Sequence, residues 1–399
     1  MLYKQLMDIY ETTNYLNSLG FNISVEEIRS NANKTVVVGM SGGVDSSVSA
    51  VLIKLMGFKT IGMFMKNWEE LDNNGNCNSQ KDYIDVINVC ELIDIAYYSV
   101  NFAQEYKDKV FKSFLSEYKA GYTPNPDILC NREIKFKVFY EKAKAFGADY
   151  LATGHYCQKD SHGEKSYLVK GRDQGKDQTY FLYAIDGHVL KDVLFPLGHL
   201  QKSQVRDIAT KFSLSTATKK DSTGICFIGE RNFKNFLGQY LVENKGHFVH
   251  LETNKSLGPH DGSCFYTIGQ RKGLGLGGPG GPWFVADKNT ATNEVLVVEG
   301  ERHPALFADY LEANEVSWIN SSPDFPLKCK AKIRYRQQDQ ECTIYEQDGE
   351  LRVDFTNPQR AISQRQSVVF YQDDICLGGA MIKSRGPTYF ERDKHLPIT

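Results

Sequence analysis

Short apolar runs rich in β-branched residues alternate with helical stretches between Thr35 and Tyr156. The apolar runs are TVVVGM, TIGMFM and ADYLATGHY, and the helical stretches include 47–56 and 133–146. Gly57 and Gly147 follow two of these helices, where a left-handed C-terminal cap favours glycine. This alternation predicts an α/β domain built on a parallel sheet.

The helical pattern fades beyond about residue 241, and short strand-like runs take over. Near the end KAKIRYR, CTIYEQ, LRVDF and SVVFY succeed one another, and Asp348 and Gly349 fit a hairpin turn. This part predicts a small barrel or sandwich. Before the α/β region, Ser24 and Glu27 have the spacing of a capping box, which predicts a short helical extension.

The composition bounds the class of protein. A chain of 399 residues exceeds what one core usually supports, and 41% hydrophobic with 24% charged residues is typical of globular domains. The net charge of −2 restricts any RNA-binding surface to a local basic patch. We find no secretion signal or membrane-length apolar run, and the nine cysteines form no C-x-x-C, which predicts a cytoplasmic protein and disfavours a zinc ribbon or a thioredoxin-like motif.

The segment VVVGMSGGVDSSVSAVLIK reads as a strand, a glycine-serine loop and a helix, which together predict an anion site. Gly42 and Gly43 allow close backbone approach, and the hydroxyls of Ser41, Ser46 and Ser47 can donate. The loop lacks the lysine of a Walker loop. It resembles the SGGxDS loop of ATP-pyrophosphatases, which cleave ATP between the α and β phosphates.

Four side chains near this loop or beyond it admit two interpretations each. Asp45 either assists a magnesium ion or caps the helix. Cys130 lies immediately before an amphipathic helix, where it is either a reactive thiolate or a structural thiol, and Asp127 is either a proton relay or a turn residue. Cys226, in KKDSTGICFIGER, is either a mobile reactive thiol or a buried small hydrophobe.

The motifs GMSGGVDSS, MFMKNW, NPDILCN, ATGHY, KDQTYFL, KKDSTGICFIGER, TIGQRKGLG and RYRQ stand in the order of the tRNA-specific 2-thiouridylases. The resemblance covers residues 34–381. It implies a Rossmann-like ATP-pyrophosphatase domain, a small central domain and a C-terminal β-barrel. We place an N-terminal extension at 1–33, these domains at 34–240, 241–305 and 306–388, and a tail at 389–399.

The resemblance implies that sulfur replaces the C2 oxygen of the wobble uridine in tRNAs for Lys, Glu and Gln. Cys226 would carry the sulfur as a persulfide, Cys130 would attack it or form a disulfide with it, and Asp127 would act as acid or base. ATP would be held by Gly39, Met40, Ser41, Gly42, Gly43, Val44, Asp45, Ser46, Met65 and Gly154. The tRNA would contact Asn125, Pro126, Asp127, His155, Lys176, Asp177, Gln178, Arg334, Tyr335 and Gln366.

Some of the residues implied to contact tRNA also have a purely structural interpretation. His155 could be a hydrogen-bonded polar residue at the end of a strand, and RYR could be a solvent-exposed strand face. Arg365 stands where the family usually has glycine. The tRNA contact implied for the neighbouring Gln366 is therefore less closely matched to the family. The resemblance implies ATP as co-substrate with Mg²⁺, and tRNA as partner. A cysteine desulfurase, directly or through sulfur-relay carriers, would load a monomeric enzyme. The rivals are another ATP-pyrophosphatase that needs no thiol pair, and an RNA-binding module with a degenerate nucleotide site.

Overall fold

The computed structural model describes residues 8–68, 78–221, 233–240, 245–277 and 280–397. Within these ranges no helix is long and apolar enough to cross a membrane. The chain forms two compact units. Unit 1 comprises Met1–Val110, Asp127–Gly229 and Asp374–Cys376, and unit 2 comprises Phe111–Pro126, Glu230–Asp373 and Leu377–Thr399.

Eleven α-helices and seventeen strands are assigned in the described residues. The helices are α1 Ile9–Ser18, α2 Val25–Asn31, α3 Val44–Leu55, α4 Asn78–Leu92, α5 Ala103–Tyr106, α6 Lys112–Lys119, α7 Pro126–Leu129, α8 Tyr140–Ala145, α9 Gly187–Lys191, α10 Lys202–Lys211 and α11 Phe233–Gly238. The strands of unit 1 are β1 Thr35–Met40, β2 Lys59–Lys66, β3 Ala96–Asn101, β4 Tyr150–Ala152, β5 Cys157–His162, β6 Lys165–Lys170 and β7 Val193–Leu194.

A five-stranded parallel sheet forms the centre of unit 1, in the order β3-β2-β1-β4-β7. The predicted parallel α/β sheet is therefore confirmed. Strand β1 has neighbours on both sides, so the chain crosses over in opposite directions from β1 and from β4. Open α/β sheets bind ligands outside the carboxyl ends of the strands at such a switch point.

Local sequence signals place several helix ends as predicted. Ser24 accepts a hydrogen bond from the Glu27 amide at 3.1 Å, and the Glu27 carboxylate accepts one from the Ser24 amide at 2.7 Å, which confirms the capping box. Gly57 and Gly147 have φ values of +90° and +79°, as a left-handed cap requires.

The helix that carries Cys130 starts earlier than the sequence predicts. α7 begins at Pro126, continues as a π-helical segment Cys130–Phe139, and ends as α8. Cys130 therefore lies in the second turn rather than immediately before the helix. Pro126 explains the earlier start, because the fixed φ of proline suits the first position of a helix.

Unit 2 contains a four-stranded sheet and a six-stranded barrel. The sheet has the order β10-β11-β8-β9, and the barrel has the order β12-β15-β14-β13-β16-β17, closed by pairing of β12 with β17. Their strands are β8 Gly246–His250, β9 Ser256–His260, β10 Trp283–Asn289, β11 Glu294–Glu299, β12 Phe307–Trp318, β13 Leu327–Lys332, β14 Gln340–Gln347, β15 Glu350–Arg360, β16 Ser367–Gln372 and β17 Ile375–Arg385. The prediction of a C-terminal barrel is confirmed.

The hairpin between β14 and β15 has the predicted turn. Asp348 and Gly349 have φ values of +53° and +79°, which a two-residue turn with a primed geometry requires. The strand predicted at KAKIRYR is shorter than expected, because β13 ends at Lys332 and Arg334 and Tyr335 lie in the turn that follows.

Unit 2 also contains residues 111–126, which the sequence places between elements of the α/β domain. Phe111 packs edge-on against Phe236 and Tyr240, with ring centroids 6.0 and 5.0 Å apart. Aromatic packing therefore holds this segment within unit 2, and no pattern in the sequence indicates it.

Candidate functional site

The loop Ser41–Gly43 joins β1 to α3 at the carboxyl edge of the parallel sheet. Gly42 has a φ of +73°, and a Cβ at this position would lie 2.5 Å from the carbonyl oxygen of Asp82. Gly43 has a φ of −95°, and the nearest atom to its would-be Cβ is Ser41 Oγ at 3.4 Å. Gly42 is therefore required by the protein itself, whereas Gly43 leaves room on the side of a ligand.

The hydroxyls of Ser46 and Ser47 form hydrogen bonds within the loop itself. Ser46 Oγ accepts from the Ser41 amide and donates to the Gly43 carbonyl, both at 3.1 Å. Ser47 Oγ donates to the same carbonyl at 2.9 Å and is fully buried, so the prediction that it donates to the anion is wrong. The side chains of Met40 and Val44 are also buried, and these residues present only backbone to a nucleotide.

The carboxylate of Asp45 lies in the first turn of α3 and makes tertiary contacts. It accepts a hydrogen bond from Tyr156 Oη at 2.8 Å and bonds from Lys202 Nζ at 2.6 and 2.9 Å. The helix is capped by Gly43 without a side-chain bond, which argues against the capping interpretation of Asp45. Burial and the nearby Asp45 carboxylate raise the pKa of Tyr156, so its hydroxyl stays protonated and donates.

Asp221 is the second carboxylate of this cluster, and it shares Lys202 with Asp45. It accepts from Lys176 Nζ at 2.7 Å, forms an ion pair with Lys202 at 2.9 Å and accepts from Arg206 at 2.8 Å. Burial alone raises the pKa of Asp221, but Lys176 and Lys202 outweigh it and bring the pKa to about 2. Asp221 is therefore ionised throughout the physiological range.

A third contact fixes the start of the KKDSTGICFIGER motif on the loop. Lys219 Nζ donates to the Gly42 carbonyl at 2.9 Å and pairs with Asp82 at 2.7 Å and Asp85 at 2.6 Å. Its partners Asp82 and Asp85 raise the pKa of Lys219, although burial opposes them. The sequence analysis missed four residues of this cluster: Lys202, Lys219, Asp221 and Tyr156. The i,i+4 spacing of Lys202 and Arg206 was a signal that could have indicated a cationic helix face.

The end of β4 approaches the same loop. A Cβ on Gly154 would lie 2.9 Å from the carbonyl carbon of Asp45 and from the Ser46 amide, so glycine is required for this contact. Met65 lies near the end of β2, at the same edge of the sheet. His155 Nδ1 is 2.9 Å from Thr153 Oγ1, and burial with the nearby Lys135 lowers the pKa of His155 well below its ordinary value. A neutral, buried imidazole fits the satisfied-polar interpretation of His155.

The KDQTYFL motif connects this edge to the helix of Cys130. The buried Asp177 carboxylate accepts from the Gly171 amide at 3.0 Å and from Thr179 Oγ1 at 2.8 Å. Gln178 Oε1 accepts from the Tyr156 amide at 3.0 Å, and the Gln178 amide donates to the Tyr156 carbonyl at 2.9 Å. In this conformation Asp177 and Gln178 therefore organise their own loop.

Cys130 is fully buried, and Asn131 beside it is 4% exposed. Asn131 Nδ2 donates to the Phe181 carbonyl at 3.0 Å, so the thiol-bearing helix is attached to the KDQTYFL segment. Asp127 lies half-buried one turn before Cys130, and the i,i+3 spacing places both on one side of the helix. Asn125 and Pro126 precede them directly in the chain.

The remaining predicted residues lie in unit 2 or outside the described residues. Arg334 donates to the Arg360 carbonyl at 3.2 Å, and Tyr335 lies beside Arg336 at 5.9 Å from ring centroid to guanidinium carbon. Gln366 Nε2 donates to the Thr123 carbonyl. Arg365 has a φ of +64°, the left-handed region that favours glycine, which suits the glycine that the resemblance implies at this position. Cys226 lies outside the described residues.

The protein offers a magnesium ion the carboxylate of Asp45 at the anion loop. No group of three or more His, Cys, Asp or Glu side chains that could hold a metal ion occurs in the part of the chain that the structure describes. Mg²⁺ commonly takes one or two carboxylates and completes its shell with phosphates and water. The half-exposed carboxylate of Asp45, at the anion loop, fits that donor set.

A parallel sheet whose switch point carries a glycine-serine loop and a helix N-terminus defines a nucleotide-binding α/β enzyme. Residues 34–230 match the tRNA methyl transferase HUP domain family, 234–299 the tRNA methyl transferase PRC-barrel domain family, and 308–382 the aminomethyltransferase beta-barrel domain family. The chain belongs to the tRNA-specific 2-thiouridylase family, because curated relatives of that name are 55–57% identical to it over 87–91% of its length. This confirms the predicted family, the three-part fold and the enzyme class, a tRNA-uridine 2-sulfurtransferase.

Curated relatives match over almost their whole length. The tRNA-specific 2-thiouridylase MnmA of Protochlamydia amoebophila is 57% identical over 91% of this chain and 97% of its own. The MnmA of Halalkalibacterium halodurans is 55% identical over 87% and 94%. A solved 4-thiouridine synthetase–RNA complex with bound ATP is 15% identical over 52% of this chain and 49% of its own, with a TM-score of 0.32, too low to carry an argument.

The two glycines of the loop give a matched test. Gly42→Ala should lower the stability of the nucleotide-free protein by about 1–2 kcal/mol or more, because it strains a left-handed residue and meets the Asp82 carbonyl. Gly43→Ala should leave stability unchanged and weaken ATP binding, because its methyl group faces the ligand. Thermal unfolding without nucleotide and equilibrium ATP binding separate the two effects, and equal loss of stability in both variants would contradict this account of the loop.

Proposed function

We propose that the chain catalyses ATP-dependent 2-thiolation of the wobble uridine in tRNAs for Lys, Glu and Gln, with sulfur from a persulfide on Cys226. The observation that carries this proposal is a series of contacts within unit 1. It runs from Asp45 through Tyr156 to Gln178, and then along the KDQTYFL segment to Asn131, next to Cys130.

The second thiol is related to the same loop through the covalent chain. Cys226 follows Asp221 by five positions, and Asp221 belongs to the cluster of Lys202 and Asp45. Five residues span at most ~18 Å even when fully extended. The chain length therefore keeps Cys226 in the neighbourhood of the ATP loop, which supports its proposed role as sulfur carrier.

The first chemical step activates the base. The C2 oxygen of uridine attacks the α-phosphorus of ATP, the bond to pyrophosphate breaks, and the N3 proton is lost. Pyrophosphate leaves next to the α3 N-terminus, whose amide groups and positive potential stabilise developing negative charge. Asp45, together with the phosphates, would hold Mg²⁺, and the ion would supply charge neutralisation.

Lys202 is the chain's own cation at this point. Its ammonium group pairs with Asp45 and Asp221, and its side chain is largely buried. A charge already held by two carboxylates is positioned in advance, so it stabilises the leaving pyrophosphate without reorganisation. Tyr156 holds the Asp45 carboxylate from the other side, at 2.8 Å.

The second step replaces oxygen by sulfur. The terminal sulfur of the Cys226 persulfide attacks C2, and AMP leaves with the former C2 oxygen. The thiolate of Cys130 then attacks the Cys226 sulfur, the persulfide bond breaks, and its electron pair stays on the sulfur at C2. A disulfide between Cys130 and Cys226 remains, and two electrons from a cellular thiol reductant restore both thiols.

Asp127 is placed to serve this step, because it lies one turn from Cys130 on the same side of the helix. Cys130 is fully buried in this conformation, so sulfur transfer requires that its thiol become accessible during the cycle. We further propose a cytoplasmic monomer, loaded by a cysteine desulfurase directly or through sulfur-relay carriers.

The thiol pair is tested by Cys226→Ser and Cys130→Ser. Both variants should lose thiolation and keep ATP binding, because a hydroxyl neither holds a persulfide sulfur nor replaces a thiolate nucleophile. Persulfide labelling should still find sulfur on Cys226 in Cys130→Ser. Cys264→Ser, a change outside both motifs, is the control and should stay active. Normal thiouridine from Cys226→Ser would rule out the proposed carrier.

The adenylation step is tested by isotopic label. Label from the α-phosphate of ATP should appear on tRNA in single turnover, and label from the γ-phosphate should not. Asp45→Asn should reduce this transfer by ~10²-fold or more, because the change leaves the Lys202 ammonium group and the Tyr156 hydroxyl without the charged Asp45 carboxylate. Asp94→Asn, at an exposed carboxylate far from the loop in sequence, is the matched control. Transfer of γ-label would mean that the reaction is not a pyrophosphate-releasing one.

The tRNA surface is tested by salt dependence. We place basic contacts at Arg132, Lys135, Lys176, Arg231 and Arg334. Six or so phosphate contacts would lower affinity by ~10³-fold or more between 50 and 200 mM salt. Arg334→Ala should weaken tRNA binding and reduce the salt slope, yet spare persulfide formation on Cys226. Lys328→Ala, at an exposed position on the same barrel, is the control. Equal loss of tRNA binding and persulfide formation in folded Arg334→Ala would contradict this division of labour.

A further inference from the structure

The segment between α6 and α7 is held by polar contacts from the two parts of unit 2. Lys288, on β10, donates from Nζ to the Gly121 carbonyl and, at 2.8 Å, to the Tyr266 carbonyl. Thr267 Oγ1 donates to Thr123 Oγ1 at 3.3 Å. Burial lowers the pKa of Lys288 to about 8, although Asp287 and Cys264 oppose it. The contacts of Lys288 with Gly121 and of Thr267 with Thr123 bring the loop after α6 against the part of unit 2 that contains the β8–β11 sheet.

The barrel contacts the same segment through two consecutive residues. Arg365 pairs with Glu117 of α6 through Nη2 and with Glu315 through Nη1 at 2.9 Å. Gln366 Nε2 donates to the Thr123 carbonyl. These bonds raise the pKa of Arg365, with Glu117 the largest contributor. Arg365 adopts a φ of +64°, which is unfavourable for arginine, and its two ion pairs are the interactions that offset this strain.

Packing does not make this connection by itself. A cavity of about 370 Å³ separates part of α6 from the barrel and is lined by Ser116, Glu117, Tyr122, Asn314, Arg365 and Lys383. Across such a space, side chains make few dispersion contacts. The polar contacts of Arg365 and Gln366 therefore carry the attachment at this place.

The attached segment leads directly into the catalytic motif. Thr123-Pro124-Asn125-Pro126-Asp127 contains two prolines. Proline fixes its own φ and restricts the residue before it to extended conformations. The position of Thr123 is therefore transmitted along the chain to Asn125 and Asp127 with little conformational freedom.

We propose that Arg365 and Gln366, together with Lys288, are positioning residues that fix the start of the Asn125–Cys130 segment for the reaction. The proposal rests on the proposed function of Asp127 and Cys130. It assigns to Gln366 a role inside the protein, in addition to the tRNA contact implied by the family resemblance. Occupation of the barrel by tRNA would then act on the catalytic helix through residues 117–123.

The test uses Arg365→Gly in the full chain, since glycine suits a φ of +64° and the variant removes only the side chain. With Cys226 loaded beforehand and tRNA and ATP saturating, formation of 2-thiouridine should slow by ~10-fold or more in single turnover, because Asp127 and Cys130 serve the sulfur-transfer step. The Kd for tRNA and the loading of Cys226 should not change. Hydrogen exchange of the amides of 117–127 should become faster, which is a readout that does not depend on activity.

Three further variants make the result specific. Glu117→Gln should also slow thiolation, and the double variant should be no slower than Arg365→Gly alone, because that variant has already lost the Arg365–Glu117 pair. Arg365→Lys should restore part of the rate. Arg352→Met removes the Arg352–Asp354 pair, at 2.8 Å on the same barrel, and should behave like the unaltered enzyme.

Two arms distinguish failure of the inference from failure of the proposed function. If the unaltered enzyme transfers no α-phosphate label, the proposed function is wrong, whatever the exchange data show. If it transfers label and Arg365→Gly forms 2-thiouridine as fast as the unaltered enzyme, the positioning role is overturned. Weaker tRNA binding with unchanged single-turnover rates would assign Arg365 to RNA contact, and a parallel loss of stability, loading and rate would assign it to the fold alone.

Discussion

The interaction between the Asp45 carboxylate, the Lys202 ammonium group and the Tyr156 hydroxyl joins the separate sequence motifs of unit 1. Asp45 belongs to the first turn of α3, Tyr156 to the segment after β4, and Lys202 to the start of α10. Through Lys202 the cluster includes Asp221, the last described residue before the segment of Cys226. A charge in such a cluster is expensive to leave unpaired once its partners are partly desolvated, so the three segments are held to one arrangement.

This constraint explains why motifs far apart in the chain have a shared chemistry. The parallel sheet brings the ends of β1 and β4 to its switch point, and Gly154 allows their loops to touch. Gln178 then fixes the KDQTYFL segment to Tyr156 by two hydrogen bonds, and Asn131 fixes the thiol-bearing helix to that segment. Nucleotide activation and sulfur transfer need groups placed within a few tenths of an ångström, and a series of short polar contacts provides that placement.

Several features could be predicted from the sequence because they depend only on neighbouring residues. The Ser24–Glu27 capping box, the left-handed glycines 57 and 147, and the Asp348–Gly349 turn each depend on backbone geometry within a few residues. The sequence-based predictions were wrong where a contact with a residue elsewhere in the fold determines the role of a side chain or the end of a strand. Ser47 donates to the Gly43 carbonyl instead of a ligand, and β13 stops before Arg334 because the chain turns there and Arg334 meets the Arg360 carbonyl. The inclusion of residues 111–126 in unit 2 depends on aromatic contacts more than a hundred positions away.

The sequence by itself determined the α/β and β parts, the anion loop and the family, and it singled out Cys130 and Cys226 as candidate thiols, because periodicity, turn chemistry and motif order are written along the chain. Only the tertiary structure decided which ions surround Asp45, that Cys130 is buried in a helix starting at Pro126, and that Arg365 and Gln366 contact Glu117 and Thr123. The physical reason is the range of the interactions. A cap or a turn is satisfied by its neighbours, whereas an ion pair such as Arg365–Glu117 joins residues 248 positions apart and exists only once the chain has folded.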